Sequence, residues 1–259
     1  MANLIYLSPS NHGKNSNKCL KENCYEDKHT RPIAEVCARY LKASGFDVIV
    51  AKESQNMAAR CSESDARGAT LHVPIHTNAS SSPSARYLLF MFYKDSDVYR
   101  KIYNAVAPRL EAVYPGNLKA QFWKRATLYE INRPKAKTIY CELGFHTNKT
   151  DTDKFIHDPE MVGKALAQGI CDYFGVPLKT STAETTIPAA PSYSKGTAVK
   201  LKNAPLYANS TTKTAAARVT GTYYLWDGKV VSSRMRITNS KARVGLKGQV
   251  TGWIDKENL

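Results

Sequence analysis

One low-complexity stretch, Leu178 to Ser194, divides this chain more sharply than any other feature. In LKTSTAETTIPAAPSYS, four Thr, three Ala, three Ser and two Pro supply 12 of 17 residues, a composition too poor in large apolar groups to pack and suited to a tether. It predicts two folding units, residues 1–177 and 195–259, joined by residues 178–194. Charge divides unevenly across the tether: 24 basic less 18 acidic residues leave +6 before Leu178, and 13 less 4 leave +9 from Leu178 onward. The total of +15 favours an anionic partner, with nucleic acid, lipid headgroups and wall polymers all open.

The hydrophobic period also changes at the tether. Before it, apolar runs at 4–7, 47–51, 71–75, 87–93 and 138–143 have strand character and alternate with helical patterns. Ile33, Cys37, Tyr40 and Leu41 recur at helical spacing before a stop at Gly45, and further helices are expected over 98–113 and 159–174, the last ending at Gly175. Strands alternating with helices imply an α/β fold, a mostly parallel sheet flanked by helices. After the tether, short runs rich in Val, Tyr, Thr and Ile (198–201, 218–226, 230–238 and 249–254) predict a small all-β barrel, with Asp227-Gly228 as a hairpin turn.

No run of eighteen apolar residues exists, so no membrane span is expected. The start MANLIYL lacks the basic flank, long apolar run and cleavage site of a secretory signal and has strand character, which predicts synthesis in a cytoplasm. Six cysteines in 259 residues are too few for a disulfide scaffold. Cys37, Cys141 and Cys171 fall in apolar patterns and are expected as core thiols. Cys19 and Cys24 could pair or bind metal, but no second Cys pair follows at zinc-ribbon spacing, so an ordinary loop is expected.

In an open parallel sheet, ligands gather beyond the carboxyl ends of the strands. Three such ends carry chemistry: SPSNHG after the first strand with His12, HTNA after the third with His76, and CELGFH at the last with Glu142. Tyr25-Glu26-Asp27 lies on the same rim. Two imidazoles and one carboxylate suit a catalytic zinc, which keeps a fourth position for water and lowers that water's pKa to about 7. His12, Glu26 and His76 are therefore the candidate ligands, with Asp27 as an alternative to Glu26. Glu142, a carboxylate on an otherwise apolar strand, is the candidate proton carrier.

The ordered strings SPSNHG, YED, VPIHTNAS and ELGFHTNKTD resemble the zinc-dependent N-acetylmuramoyl-L-alanine amidases of the Amidase_3 type over about residues 3–176. The resemblance implies zinc on His12, Glu26 and His76, favours Glu26 over Asp27, and makes Glu142 catalytic. It departs at Asn11-His12-Gly13-Lys14, where family members often carry Gly-His-Gly-Gly. His72 shares a strand face with His76 and is expected to pack. His146 is expected either to orient substrate or to bond within its loop. His29 and His157 are expected at the surface or as caps, and Arg60 in a structural salt bridge.

GTAVKLKNAPLYANS, GTYYLWDGKVVSSRMRIT and VTGWIDKENL resemble bacterial SH3-type wall-binding modules. Tyr207, Tyr223, Tyr224, Trp226 and Trp253 are expected to divide between a platform for wall sugars or peptides and the barrel's own core. The combined expectation is an endolysin-like, monomeric peptidoglycan hydrolase acting on peptidoglycan and anionic wall polymers of Gram-positive bacteria. It would bind no nucleic acid, be made without a signal peptide and act on the wall after release. A zinc peptidase cutting within the stem, or a non-catalytic wall-binding protein, would be its rivals.

Overall fold

The computed structural model describes residues 3–11, 19–20, 24–179, 194–212, 214–231 and 234–258. The chain forms two compact units, Met1–Thr182 and Ala183–Leu259. In the first, the order is β1 (Leu4–Pro9), α1 (Glu26–Ala43), β2 (Asp47–Val50), α2 (Met57–Ala66), β3 (Leu71–Asn78), β4 (Leu88–Phe92), α3 (Asp97–Glu111), β5 (Gln121–Lys124), α4 (Tyr129–Asn132), β6 (Lys137–Thr138), β7 (Tyr140–Phe145), the single turn α5 (Lys149–Asp151) and α6 (Pro159–Phe174). The seven-stranded sheet runs β2-β1-β3-β7-β4-β5, with β6 beside β3. All its pairings are parallel except β4 with β7. The fold is thus mixed α/β with a mostly parallel sheet flanked by helices.

Strand alternation decides what each face meets. Ile5 and Leu7 of β1, Val73 and Ile75 of β3, and Cys141 and Leu143 of β7 point into one large core with α1, α3 and α6. Cys37, Cys141 and Cys171 are fully buried there. The opposite face carries Tyr6, whose hydroxyl donates to Glu63 of α2 at 2.7 Å, and Leu89 and Met91, which pack on Ile131 of α4. His72, His76, Tyr140 and Glu142 occupy even positions and belong to this second face.

Helix α6 ends on Gly175 in the left-handed region, φ 68°, where glycine costs least. Its Gly169 lets α3 approach closely: a Cβ there would lie 2.6 Å from the Cα of Val106. Alanine would gain about 1 kcal/mol of helix propensity, but backbone on the opposing helix must move, and overpacking costs about 1–3 kcal/mol. Gly169→Ala is expected to lower Tm by several degrees in thermal unfolding; an unchanged or raised Tm would show that the two helices separate cheaply.

The second unit is a four-stranded antiparallel sheet, β11-β10-β9-β8, built from β8 (Ala198–Leu206), β9 (Ala217–Val231), β10 (Arg234–Thr238) and β11 (Gly252–Asp255). It curls: Tyr207, just past β8, bridges Trp253 of β11 through backbone bonds of 2.8 and 2.9 Å. Val199, Leu201, Leu225, Met235, Ile237 and Ile254 fill its core.

Three expectations need correction or limiting. Asp227-Gly228 is not the hairpin turn: β9 continues to Val231, which pairs with Arg234, and the register slips between Met235 and Ile237, so Asp227-Gly228 lies in a bulge opposite Arg236. Leu178 packs against the first core and Lys179 N–H donates to Ser44 Oγ, so both belong to the first unit rather than to a tether. Residues 180–193 of the expected tether lie outside the described residues.

Candidate active site

His76 lies near the carboxyl end of β3, and the backbone register sets it directly beside Glu142 of β7. Glu26 opens α1 and reaches the same rim. Its Oε1 accepts from the Thr77 backbone N–H at 3.0 Å and lies 2.9 Å from His76 Nδ1. Asp27 turns away, 3.0 Å from the Lys28 ammonium. Glu26, His76 and Glu142 line one cavity of about 220 Å³ together with Thr77, Tyr140 and His146. His12 lies outside the described residues.

Two strongly acting environments meet here. Burial pushes the Glu142 carboxyl up to about 7, against the pull of His76 and with the repulsion of Glu26. Burial also opposes a charge on His76, but its bond to Glu26 and the carboxylates of Glu142 and Glu130 outweigh this and raise its pKa. Tyr140 stacks on the His76 ring, centroids 4.6 Å apart, and fixes its plane.

A carboxylate that sequence reading missed supports this face. Glu130 of α4 is 3% exposed and also borders His76 in a neighbouring cavity. Its Oε1 accepts from Ser8 Oγ at 2.5 Å and lies 3.3 Å from His72 Nε2. Burial works against its charge, but these bonds prevail and hold its pKa below the usual value. No motif marks Glu130; the only signal is a carboxylate in a short helical turn beside apolar Leu128 and Ile131.

His72 packs as expected, fully buried, stacked on Tyr6 with centroids 5.2 Å apart and bonded to Ser64 and Glu130. Arg60 differs from expectation: among the described residues it reaches no carboxylate within ion-pair distance. It donates instead to Pro9 O at 2.5 Å, Gln55 O at 3.1 Å, Lys52 O at 3.2 Å and Ser8 Oγ at 3.2 Å, clamping the end of β1. His146 Nδ1 meets Thr77 Oγ1 at 2.9 Å, and its ring borders the cavity.

His29 is the clearest departure, 2% exposed rather than at the surface, with Cys24 and His157 against it and Cys19 against His157. The loop expected for the two cysteines is therefore part of a buried cluster. In the second unit, the aromatic rings engage arginines: Arg234 covers Tyr207 at 3.3 Å, and Arg236 lies 4.9 Å from Trp226 and 5.2 Å from Trp253, while Tyr223 packs on the core.

The fold of the first unit is shared with solved structures. The catalytic domain of CwlV, an N-acetylmuramoyl-L-alanine amidase from Bacillus (Paenibacillus) polymyxa var. colistinus, matches with a TM-score of 0.59 at 17% identity, covering 68% of this chain and 99% of that one. The amidase AmiC2 of Nostoc punctiforme matches at 0.59 and 20% identity, covering 67% and 97%. The catalytic domain of the CD27L endolysin, described as targeting Clostridia difficile, matches at 0.54 and 19%, covering 66% and 98%. At these identities the likeness concerns the fold alone. No curated protein sequence matches at a significant level. The profile of the Amidase_3 family, N-acetylmuramoyl-L-alanine amidase, matches residues 5–172, well over half of the 259 residues. The chain belongs to this amidase family.

Proposed function

We propose that the chain is a zinc-dependent peptidoglycan amidase that cuts between the lactyl carbonyl of N-acetylmuramic acid and the nitrogen of the stem's L-alanine. The observation that carries this reading is the juxtaposition, on one cavity, of the Glu26–His76 pair with the buried carboxyl of Glu142.

The donors fit the metal. Imidazole and carboxylate are ligands zinc accepts, and ligands at 2.0–2.1 Å around a tetrahedral ion stand about 3.3 Å apart, so the Glu26–His76 pair at 2.9 Å need open only slightly. Glu26 and His76, with His12 as third ligand, would hold it. When bound, the ion supplies a Lewis acid and an acidified water.

Glu142 then takes a proton from the attacking water as its oxygen bonds to the lactyl carbon, and returns that proton to the alanine nitrogen as the C–N bond breaks. The Thr77 N–H fixes Glu26, and the Tyr140 stack fixes the His76 ring. Glu130 orders His72 and Ser8 on the same face of the sheet.

The second unit, read as an SH3-like wall-binding module, would hold the enzyme on anionic polymers. Its support is the +8 charge of residues 183–259, 12 basic less 4 acidic, and the curled antiparallel sheet with rings and arginines interleaved. An endolysin-type lytic role completes the proposal, in keeping with a fold shared by an endolysin's catalytic domain.

Digestion of purified Gram-positive walls tests these points together. New amino groups without new reducing sugars are expected, with released stems beginning at alanine and solubilisation falling as salt rises. Added protein should clear whole-cell suspensions. Reducing ends would indicate a glycosidase, amino groups within the stem a peptidase, and no end groups a binding protein.

A further inference from the structure

We propose that the first unit holds a second zinc ion, a structural one, on Cys19, Cys24, His29 and His157. One donor atom from each of the four lies within 4.8 Å of all the others. Cys19 Sγ stands 3.3 Å from His157 Nε2, and Cys24 Sγ stands 3.4 Å from His29 Nδ1 and 3.6 Å from His157 Nε2. Zn–S of 2.3 Å and Zn–N of 2.0–2.1 Å at a tetrahedral angle place sulfur and nitrogen about 3.6 Å apart. Three of the six edges are therefore already close to those of a zinc tetrahedron, and the others lie within 4.8 Å.

The donor chemistry selects the ion. Two thiolates and two imidazoles form a soft-to-borderline set that suits zinc over calcium or magnesium. The two thiolates cancel the ion's charge, which makes a buried site affordable in electrostatic terms; Cys19, Cys24 and His29 are each at most 5% exposed. Four protein ligands leave no open position for water, the mark of a structural site.

The surroundings are built for it. Cys19 N–H donates to Cys24 O at 3.1 Å, which brings the two cysteines together. His29 uses its other nitrogen on Thr77 Oγ1 at 2.6 Å, so Nδ1 is turned toward Cys24. That is the outer-shell bond expected of a metal-ligating histidine. Thr77 Oγ1 also meets His146 Nδ1, and Leu20 N–H donates to His146 O at 3.1 Å.

The consequence is positional. Cys24 precedes Glu26 by two residues, and Thr77 follows His76 directly. An ion here would pin the start of α1 and the end of β3, setting the separation of Glu26 and His76 without touching substrate. The pattern escapes a sequence scan because His157 lies 133 residues beyond Cys24.

Elemental analysis of full-length protein purified under reducing conditions tests the assignment. Two zinc ions per chain are expected, one after Cys24→Ser and one after His76→Ala. A single ion lost with His76→Ala but kept with Cys24→Ser overturns this site alone. A single ion lost with Cys24→Ser but kept with His76→Ala overturns the catalytic site alone. Cobalt-loaded wild type needs no variant to fold: a thiolate-to-cobalt charge-transfer band is expected, and its absence, or a Cys19–Cys24 disulfide found by mass spectrometry of the native protein, overturns the proposal.

Discussion

Glu142→Gln is expected to lower turnover by about 10²- to 10⁴-fold while fold and bound metal are kept, the range spanned by a positioned general acid–base group. Glutamine preserves the side-chain volume, and the β7 register with β3 and β4 is made by backbone. What it removes is a group that can accept and return a proton. A second readout comes from the metal-free protein. The folded carboxyl titrates near 7 against 4.5 for the ordinary group, so the native state holds a proton that the unfolded chain has released, and wild-type stability falls as pH rises from about 4.5 to 7. The uncharged glutamine escapes this loss. Metal-free Glu142→Gln should therefore match wild type near pH 4 and exceed it at pH 8, by about 3 kcal/mol at most. Full activity in the variant would remove Glu142 from the chemistry; equal stability at pH 8 would show that its carboxylate is well solvated.

The elements most legible in the sequence are those whose pattern is local. The ends of β3 and β7 bring His76 and Glu142 to one rim, the alternation in β7 sets Glu142 apart from Cys141 and Leu143, and Gly175 marks the end of α6 with its left-handed conformation. Strand β5 escaped because Gln121–Lys124 is a four-residue edge strand with two exposed positions, too short to carry a period. Asp227-Gly228 carried a turn signal that a bulge also satisfies, since both need a left-handed glycine, here φ 71°. Glu130, and the joining of Cys19 and Cys24 to His29 and His157, were illegible for a different reason. Their partners lie far away in sequence, and only the packing of helices on the sheet edge decides that they meet.

His72 and His76 test how far residue type alone can mislead, for they share a strand, a face and deep burial, yet different effects on activity are expected on truncation. His76→Ala should abolish metal binding at the catalytic site and bring turnover to background, because the chemistry proposed for the cavity depends on the ion it helps to hold. Its effect on folding includes the Tyr140 stack, about 1 kcal/mol, and the loss of an imidazole partner for Glu26, which is 1% exposed and keeps the Thr77 N–H. His72→Ala should leave the catalytic donors in place and strike stability instead. Truncating it opens space beside Tyr6 and strips a bond from Glu130, a carboxylate with almost no access to water. Removing one hydrogen bond from a buried charged group costs about 1.5–3 kcal/mol, and the depressed pKa of Glu130 shows the sign. Its bonds stabilise the fold above the ordinary carboxylate range, a contribution that is lost as pH falls through the lowered folded value. Turnover and bound metal should thus separate the two variants clearly: both lose stability, but only His76→Ala loses the catalytic ion and its activity. Should His72→Ala instead lose metal with its stability intact, His72 would join the ligand set and His76 would lose its distinct place on the strand.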